Sequence, residues 1–229
     1  MDSELLGTFV LPGEKLGEMN TNPIKIGNGL VIRNGSIVSS KCGILQFKKP
    51  DKYWINNNQK RYNPIVGQHV IGFITQKAGT NYLVDLGTNV PAVLSFFGFP
   101  GATKKNRPQL KINDTVYARI VVSNGTEEPQ IVCMDKNERA SGFGQLEGGY
   151  CFKCSLNLSR KFLQPRNKIL SYLGKKLKFE IAVGVNGRIW INSGSVQDTI
   201  LITNAIQKTE GLTEKPARKV INMLFDNMM

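Results

Sequence analysis

The stretch VGQHVIGFITQKAGTNYLVDLGTNVPAVLS (residues 66–95) carries three short apolar runs separated by glycine-containing turns. In these runs apolar residues alternate with polar or small ones, the pattern of half-buried strands. Two more runs of this kind follow before Asp135, and no helical period separates the second run from the third. Five strands in so short a stretch predict a small Greek-key barrel of the OB type. The predicted strands are 70–74, 82–86, 92–95, 114–122 and 131–134.

A basic loop, Gly-Ala-Thr-Lys-Lys-Asn-Arg-Pro at 101–108, joins the third and fourth predicted strands. Lys104, Lys105 and Arg107 stand in a frame of Gly and Pro that favours a surface turn. Each could neutralise one phosphate, and three such contacts on a single strand predict a salt slope of about −2. A solvated loop tip, or a contact with an acidic protein, is the alternative. Three residues on or beside the same sheet could extend this RNA-binding surface: Lys77, Arg119 and Tyr82.

The charge of the chain also points to a polyanion. Its 229 residues include 30 Lys and Arg against 17 Asp and Glu, for a net charge of +13. Such an excess favours nucleic acid first, an anionic membrane second and an acidic protein third. Residues 141–229 hold 13 basic and 6 acidic residues, whereas residues 63–140 hold 8 and 6. Most of the basic excess therefore lies outside the predicted barrel.

The sequence gives no sign of a membrane segment, a signal peptide or a metal site. No run approaches the roughly 18 apolar residues of a membrane span, and the acidic start Met-Asp-Ser-Glu is unlike a signal peptide. We therefore expect no membrane partner and a nuclear or cytosolic protein with reduced thiols. Cys151 and Cys154 form a C-x-x-C, but no second pair or histidine stands at zinc spacing. We expect small buried thiols on a strand, with no metal and no cofactor.

Catalytic groups are hard to find in this sequence. The single histidine, His69, begins a predicted strand and has no evident Ser or Cys partner. No spaced carboxylate cluster indicates a two-metal nuclease site, and no phosphate-binding P-loop is present. We therefore predict a protein that is not an enzyme and keep a cryptic nuclease as a hypothesis to test.

Composition divides the chain into three predicted domains, 1–62, 63–140 and 141–229. In the first, Leu30–Arg33 and Ser36–Val38 flank Asn34-Gly35, the dipeptide that best suits a type I′ hairpin. Ile44–Phe47 predicts a third strand, and the Lys- and Asn-rich residues 48–61 are interpreted as a polar boundary.

The third domain is predicted to be a small α+β fold. Tyr150–Leu158 predicts a strand, and Ser159 a cap for a helix that ends at Gly174 with a break near Pro165. Further predicted elements follow along the chain: strands at 177–183 and 188–192, and helices at 198–206 and 216–225.

The tetrapeptide Gly184-Val185-Asn186-Gly187, followed by Arg188, has the G-x-x-G pattern of KH domains. In a KH domain that loop lets RNA phosphates approach the main chain, and it normally joins two helices. Here strand-like runs stand on both sides, so a hairpin turn is favoured. We expect the tetrapeptide to be packed within the protein, for instance against the barrel.

Several motifs, taken in order, resemble a known family. They are Leu11-Pro12-Gly13-Glu14, Val84-Asp85-Leu86-Gly87, the 101–108 loop, Gly142-Phe143-Gly144, Ser155-Leu156-Asn157-Leu158-Ser159-Arg160 and Gly184–Arg188. With them the chain resembles, over essentially its whole length, the RNA exosome cap subunits of the ribosomal RNA-processing protein 40 (exosome component 3) family.

The resemblance implies a fold that is mainly β plus α+β: an N-terminal small β domain, a central S1-type OB barrel of five strands and a C-terminal KH-like domain. It implies a non-catalytic subunit that joins other cap subunits on a ring of RNase PH-like subunits, stabilises it and guides single-stranded RNA into its channel for 3′→5′ processing and degradation. Nucleus, nucleolus and cytoplasm are the implied locations.

Two positions depart from the pattern of RNA-binding S1 domains. Leu83 and Leu94 stand where an aromatic or polar side chain often contacts RNA, and base stacking on an aromatic residue contributes about 1–3 kcal/mol per base. Backbone electrostatics from the loop would then dominate and give weak, sequence-tolerant binding. The alternative is a purely architectural subunit that bridges the ring without significant RNA contact.

Overall fold

The computed structural model of the chain describes residues 5–18, 24–106, 108–125, 127–165 and 167–226. They belong to two compact units, Met1–Gln59 and Lys60–Met229. The first consists of strands, and the second combines a barrel with an α+β fold. The predicted fold class, mainly β plus α+β, is confirmed.

The first unit contains two small sheets of short strands. The strands are β1 (Phe9–Val10), β2 (Lys15–Glu18), β3 (Lys25–Ile26), β4 (Leu30–Arg33), β5 (Ser36–Ser39), β6 (Gly43–Lys48) and β7 (Lys52–Asn56). One sheet has the order β1-β6-β7-β3 and the other β2-β5-β4. Both contribute apolar side chains to one core, including Leu16, Ile37 and Leu45.

The predicted hairpin of the first unit is confirmed. Asn34 and Gly35 have φ values of 49° and 71°, the positive values that a type I′ turn requires at both central positions. The interpretation of residues 48–61 as a polar boundary is wrong in part, because β7 lies there and pairs with β6. This strand is hard to detect in the sequence because the polar residues Lys52 and Asn56 stand at its two ends, although Ile55 between them is buried.

The motif Leu11-Pro12-Gly13-Glu14 forms a closed turn in the same unit. The Leu11 main-chain N–H donates to a Glu14 carboxylate oxygen at 2.9 Å, and the Gly13 N–H donates to the Ser39 carbonyl at 2.8 Å. These contacts join the chain before β2 to the end of β5. The motif therefore has a structural role within the first unit.

The central barrel has the five predicted strands. They are β8 (His69–Ala78), β9 (Asn81–Asp85), β10 (Ala92–Ser95), β11 (Thr115–Val122) and β12 (Gln130–Val132). The barrel closes in the order β8-β9-β10-β12-β11 and back to β8, with β10 and β12 parallel. This is the predicted OB arrangement. A later strand, β13 (Gly144–Leu146), pairs with the start of β11.

The barrel interior is filled by alternate residues of its strands. Val84 and Leu94 are 0 % exposed and belong to this core. Leu94 therefore faces the interior, and its expected place on the RNA-contacting surface is wrong. Leu83 alternates with the buried residues and is partly exposed on the outside of the barrel.

An α+β fold follows the barrel. Its elements are β14 (Tyr150–Lys153), α1 (Leu156–Phe162), α2 (Ile169–Lys176), β15 (Phe179–Gly184), β16 (Arg188–Ser193), α3 (Val196–Lys208) and α4 (Glu214–Asp226). The antiparallel sheet has the order β14-β16-β15. The helices and the sheet share an apolar core that includes Leu173, Ile189 and Ile202.

The start of α1 differs from the prediction. Ser155, not Ser159, caps the helix, since its hydroxyl accepts a hydrogen bond from the Leu158 N–H at 3.1 Å. Leu156 and Leu158 have the spacing of a strand, but they are buried in the first turn of α1. Pro165 lies between α1 and α2, where the break was predicted.

Candidate nucleic-acid interface

Two lysines of the predicted basic loop stand at the tip of a tight turn. The Thr103 N–H donates to the Asn106 carbonyl at 2.8 Å, and the Asn106 N–H donates to Thr103 Oγ1 at 3.1 Å. Lys104 and Lys105 lie between these residues and are exposed. The turn thus presents two ammonium groups to solvent. Arg107, the third predicted cation, lies outside the described residues.

Tyr82 holds this loop from inside the barrel. The side chain is 1 % exposed, and its hydroxyl donates to the Pro108 carbonyl at 3.0 Å and accepts from the Leu110 N–H at 3.2 Å. The predicted place of Tyr82 on the RNA-binding surface is therefore wrong, because its ring has no free face for a base. The burial of Tyr82 could be predicted from the sequence, because Tyr82 alternates with Val84 and Leu86 on one strand face, and both of these are buried.

Lys77 lies on the outside of the barrel beside this anchor. It is exposed near the end of β8 and is the cross-strand partner of Tyr82. Its ammonium stands 5.5 Å from the centroid of the Tyr82 ring. The structure therefore brings Lys77 next to the residue that supports the basic loop.

Arg119 is placed differently. It pairs with His69 at the first residue of β8, whereas Lys77 is near the other end of that strand. Its guanidinium donates to the carbonyls of Met134 and Asp135, both at 3.3 Å. Arg119 thus binds the segment that follows β12 and is not grouped with Lys77 along β8.

His69 belongs to an aromatic cluster on the outside of the barrel. Its ring packs edge-on against Phe143 with centroids 4.9 Å apart, and its Nδ1 lies 3.4 Å from the Tyr117 hydroxyl. Burial, together with the charge of Arg119, lowers the pKa of His69. Both causes favour the neutral imidazole, and the ring packs against Phe143 and Tyr117.

The G-x-N-G tetrapeptide forms the turn between β15 and β16 and lies against the barrel. Asn186 is 7 % exposed. Its Oδ1 accepts from the Ile71 N–H at 3.2 Å, and its Nδ2 donates to the carbonyls of Ile71 and Leu86 at 2.8 and 2.9 Å. The Val185 N–H also donates to the His69 carbonyl at 2.9 Å. The polar groups of the turn are thus used within the protein.

Arg188 continues this junction with a buried charge. Its side chain is 2 % exposed, and Nη2 lies 2.6 Å from Asp85 Oδ2. Nη1 donates to the main-chain carbonyls of Asp85 and Ile71, and the guanidinium lies 4.8 Å from the Phe73 ring centroid. Asp85, Ile71 and Phe73 all belong to the barrel, so the tetrapeptide, which was expected to be packed within the protein, forms with Arg188 an internal bridge to the barrel.

Asp85 is the partner that sequence reasoning missed. Burial raises the pKa of its carboxyl, but the hydrogen bonds from Gly87 and Arg188, together with the Arg188 charge, outweigh burial and leave the pKa below its ordinary value. In the sequence, Asp85 stands out only as part of the motif Val84-Asp85-Leu86-Gly87. The pairing of residues 85 and 188 depends on the fold, and no local pattern in the sequence indicates it.

The glycines of the tetrapeptide are explained by close packing. A Cβ on Gly184 would stand 2.8 Å from the Ile71 main-chain nitrogen, and one on Gly187, with φ of +75°, would stand 2.7 Å from the Cys154 carbonyl oxygen. The connection between α1 and α2, residues 163–168, reads LQPRNK and has no glycine. The G-x-x-G pattern thus lies in the closely packed β15–β16 turn, and the connection between α1 and α2 lacks it.

The two cysteines of the C-x-x-C are partly buried. Burial raises the pKa of Cys151 to about 11, and Cys154 Sγ lies 3.3 Å from Ser159 Oγ. Among the described residues, no three His, Cys, Asp or Glu side chains are grouped as a metal site. Within the same residues, the helices are too short or too polar to cross a bilayer.

An OB-type barrel joined to a β-α-α-β-β-α-α fold, with a cationic loop on the barrel, defines the class of S1 and KH nucleic-acid-binding modules. Family models agree: the S1 domain of exosome complex component RRP40 matches residues 62–144, and a KH domain matches residues 149–197. The chain is 43 % identical to rrp40 of Dictyostelium discoideum, over 88 % of this chain and 86 % of that protein. It is 35 % identical to exosome complex component RRP40 of Homo sapiens, over 97 % and 92 %. The chain belongs to the RRP40 family of exosome complex components.

A solved structure supports the fold independently. It is the crystal structure of an exosome complex RNA-binding protein, with a TM-score of 0.60 and 24 % sequence identity, and the match covers 73 % of this chain and 97 % of that one. At this identity the likeness concerns the fold alone.

Proposed function

We propose that this chain is a non-catalytic cap subunit of the RNA exosome that stabilises the ring of RNase PH-like subunits and guides single-stranded RNA into the channel. The observation that carries the proposal is the match to RRP40 proteins along nearly the whole chain. The proposed partners are RNA, the ring subunits and the other cap subunits. The proposed locations are the nucleus, the nucleolus and the cytoplasm.

The geometry supports guidance by charge rather than reading of bases. Lys104 and Lys105 are exposed on a held turn, and Lys77 lies beside the anchor of that loop. Tyr82 is buried, and the G-x-N-G turn is occupied by contacts with the barrel. Phosphate contacts without base stacking give weak binding that tolerates any sequence.

The division into domains 1–62, 63–140 and 141–229 is part of the proposal. The junction made by Asn186 and Arg188 couples the second and third domains. In this proposal the barrel and the KH-like domain act as one wall of an RNA entrance, with the 101–108 loop as its cationic rim.

Ring reconstitution tests the proposed assembly. The full chain, mixed with exosome ring subunits, should elute from a sizing column as a stoichiometric complex. Elution of the chain alone at micromolar concentrations would exclude a cap subunit. Incubation of the purified chain with Mg²⁺ or Mn²⁺ and labelled RNA should give no cleavage, and activity that follows the protein through purification would establish a nuclease.

The RNA contact is tested with the variant Lys104→Ala/Lys105→Ala/Arg107→Ala. Loss of three phosphate contacts should reduce the slope of log K against log salt by about 2 for single-stranded RNA. Lys48→Ala/Lys49→Ala/Lys52→Ala removes the same charge from the exposed β6–β7 hairpin of the first unit and serves as the control. Equal slopes for the two triple variants would instead favour the architectural subunit, and RNA crosslinks absent from residues 66–135 of the assembled complex would agree with it.

A further inference from the structure

The α+β fold carries cations that the proposed RNA path does not use. Residues 148–179 contain eight Lys or Arg residues and no Asp or Glu. The 101–108 loop, which supplies the proposed phosphate contacts, belongs to the barrel and accounts for none of them. Lys168 stands at the start of α2 and Lys175 and Lys176 at its end, and all three are exposed. A strongly positive surface outside the barrel is therefore without a role.

Helix α4 adds three exposed cations in its first half, namely Lys215, Arg218 and Lys219. Basic side chains stabilise a helix when they lie in its last turn, and α4 has none there. The helix dipole can thus explain Lys175 and Lys176 at the end of α2, but it does not explain the cations of α4. Their position indicates a role outside the helix.

Tyr172 brings cations of the two helices together. The Arg218 guanidinium lies 5.4 Å from the centroid of the Tyr172 ring, and the Lys176 ammonium lies 5.9 Å from it. The same ammonium is 4.8 Å from the Phe225 ring centroid, and the Tyr172 hydroxyl donates to Asn222 Oδ1 at 2.6 Å. Contact with an aromatic ring attracts a cation without neutralising its charge. Two positive groups from different helices are thus held around one ring.

These two cations have no carboxylate partner within the part of the chain that the structure describes, because the ion pairs there join other side chains. Like charges held close together repel each other, and a bound anion relieves the repulsion. A guanidinium binds a phosphate through two parallel N–H donors, and an ammonium acts on it as a point charge. The pair formed by Lys176 and Arg218 therefore favours a phosphate ligand.

We propose that α2 and α4 form a second phosphate-binding surface for RNA, with Lys176 and Arg218 at its centre. The choice of RNA as the ligand rests on the proposed function, since the S1 and KH matches favour RNA over an acidic protein. The surface shares no residue with the 101–108 loop or the G-x-N-G turn. Each of the two cations contacts one phosphate, so the surface holds the strand without reading its bases.

The test measures binding of the full chain to labelled oligouridine over a range of NaCl concentrations. Lys176→Gln/Arg218→Gln should reduce the slope of log K against log salt by about 1.4, because each phosphate contact on a single strand contributes about 0.7. Lys48→Gln/Lys49→Gln removes the same charge from the exposed β6–β7 turn and should leave the slope unchanged. In the triple variant of the 101–108 loop, Lys176→Gln/Arg218→Gln should cause the same further reduction, because distant sites act additively.

Two variants of Tyr172 test the ring without a change of charge. Tyr172→Leu keeps an apolar side chain but removes the aromatic face, so oligouridine should bind about two- to fivefold more weakly. Tyr172→Phe keeps the ring and should bind like the parent chain. Circular dichroism of both variants checks that the fold is retained.

The inference is overturned if Lys176→Gln/Arg218→Gln and its control give equal slopes, or if Tyr172→Leu binds RNA as tightly as Tyr172→Phe. It is also overturned if a labelled polyglutamate peptide binds the chain more tightly than oligouridine does. A reduced slope for the triple variant of the 101–108 loop would still support the proposed function in each of these cases. A full chain that binds no oligouridine at low salt excludes this surface, whereas ring reconstitution decides the cap function separately.

Discussion

Arg188 is a cation that the fold has removed from the solvent. Its guanidinium faces a carboxylate, two main-chain carbonyls and an aromatic ring, so its donors are used within the protein. Removing one partner of such a pair leaves the other charge buried and unpaired, which costs more than the pair itself contributes. The basic residue that follows the G-x-N-G turn is therefore a determinant of stability.

Asp85→Asn should lower the free energy of unfolding of the chain by about 1–2 kcal/mol. The side chain of Asp85 is 44 % exposed, which places the effect below that of a fully buried pair. Urea unfolding at pH 7 measures it. Glu18→Gln, in the exposed pair with Lys15, is the control and should change stability by less than about 0.5 kcal/mol. Equal effects of the two variants would contradict a structural role for Asp85.

The same pair predicts a dependence on pH. The folded-state pKa of Asp85 is below the usual 3.8, so its stabilising effect is present above that value and is lost as pH falls through the folded pKa. The difference in stability between the parent chain and Asp85→Asn should therefore shrink below about pH 4. Unfolding curves at pH 7, 5 and 3 measure this, and a constant difference would count against the ion pair.

Gly184 and Gly174 make a matched pair for testing close packing. Gly184→Ala should destabilise the chain by about 1–3 kcal/mol, because the added methyl meets the Ile71 main-chain nitrogen at 2.8 Å. Gly174 lies in α2 with open space around it, so Gly174→Ala should stabilise by about 0.5–1 kcal/mol. Thermal unfolding compares the two, and a shift in the same direction would refute the packing explanation.

The loop and the strand beneath it form one element of the site, because the Tyr82 hydroxyl makes two hydrogen bonds to the chain after the basic turn. Tyr82→Phe should lower stability by about 1 kcal/mol and speed amide exchange at Leu110. Tyr150→Phe, at a residue that is 55 % exposed, is the control. Unchanged exchange at Leu110 in Tyr82→Phe would show that the loop is held by other contacts.

Some elements could be predicted from sequence and others could not. The barrel strands follow an alternation that period-2 reasoning detects, and Asn34-Gly35 fixes its hairpin through φ alone. β7 was missed because only Ile55 of its residues is fully buried. The start of α1 was missed because Leu156 and Leu158 have strand spacing while the Ser155 cap determines the helix.

At the scale of the whole molecule, the barrel and the α+β fold share a small apolar cluster. Ile71, on the outside of the barrel, is 0 % exposed and packs with Ala182 and Trp190. A fragment of residues 60–147 exposes that cluster, whereas residues 60–229 keep it covered. We expect the shorter fragment to bind a hydrophobic dye more strongly and to unfold at a lower urea concentration. Equal midpoints would mean that the junction contributes nothing to stability.

The junction between the barrel and the α+β fold contains contacts that could not be predicted from the sequence. A packed G-x-N-G hairpin could be predicted from the strands on either side, but its contacts join residues a hundred or more positions apart. Burial of Tyr82 could have been predicted from its strand face. The separation of Arg119 from Lys77 needs the register of β8 against β11, which no pattern along one strand contains.

The bridge from Asn186 ends on main-chain atoms of Ile71 and Leu86. Every amino acid except proline offers the same N–H and C=O groups, so these hydrogen bonds do not depend on which side chains stand at positions 71 and 86, although both side chains are buried. Asn186 has no such freedom, because its amide must both donate and accept. A change of side chain at Ile71 or Leu86 therefore leaves these three hydrogen bonds in place, whereas a change at Asn186 removes all three.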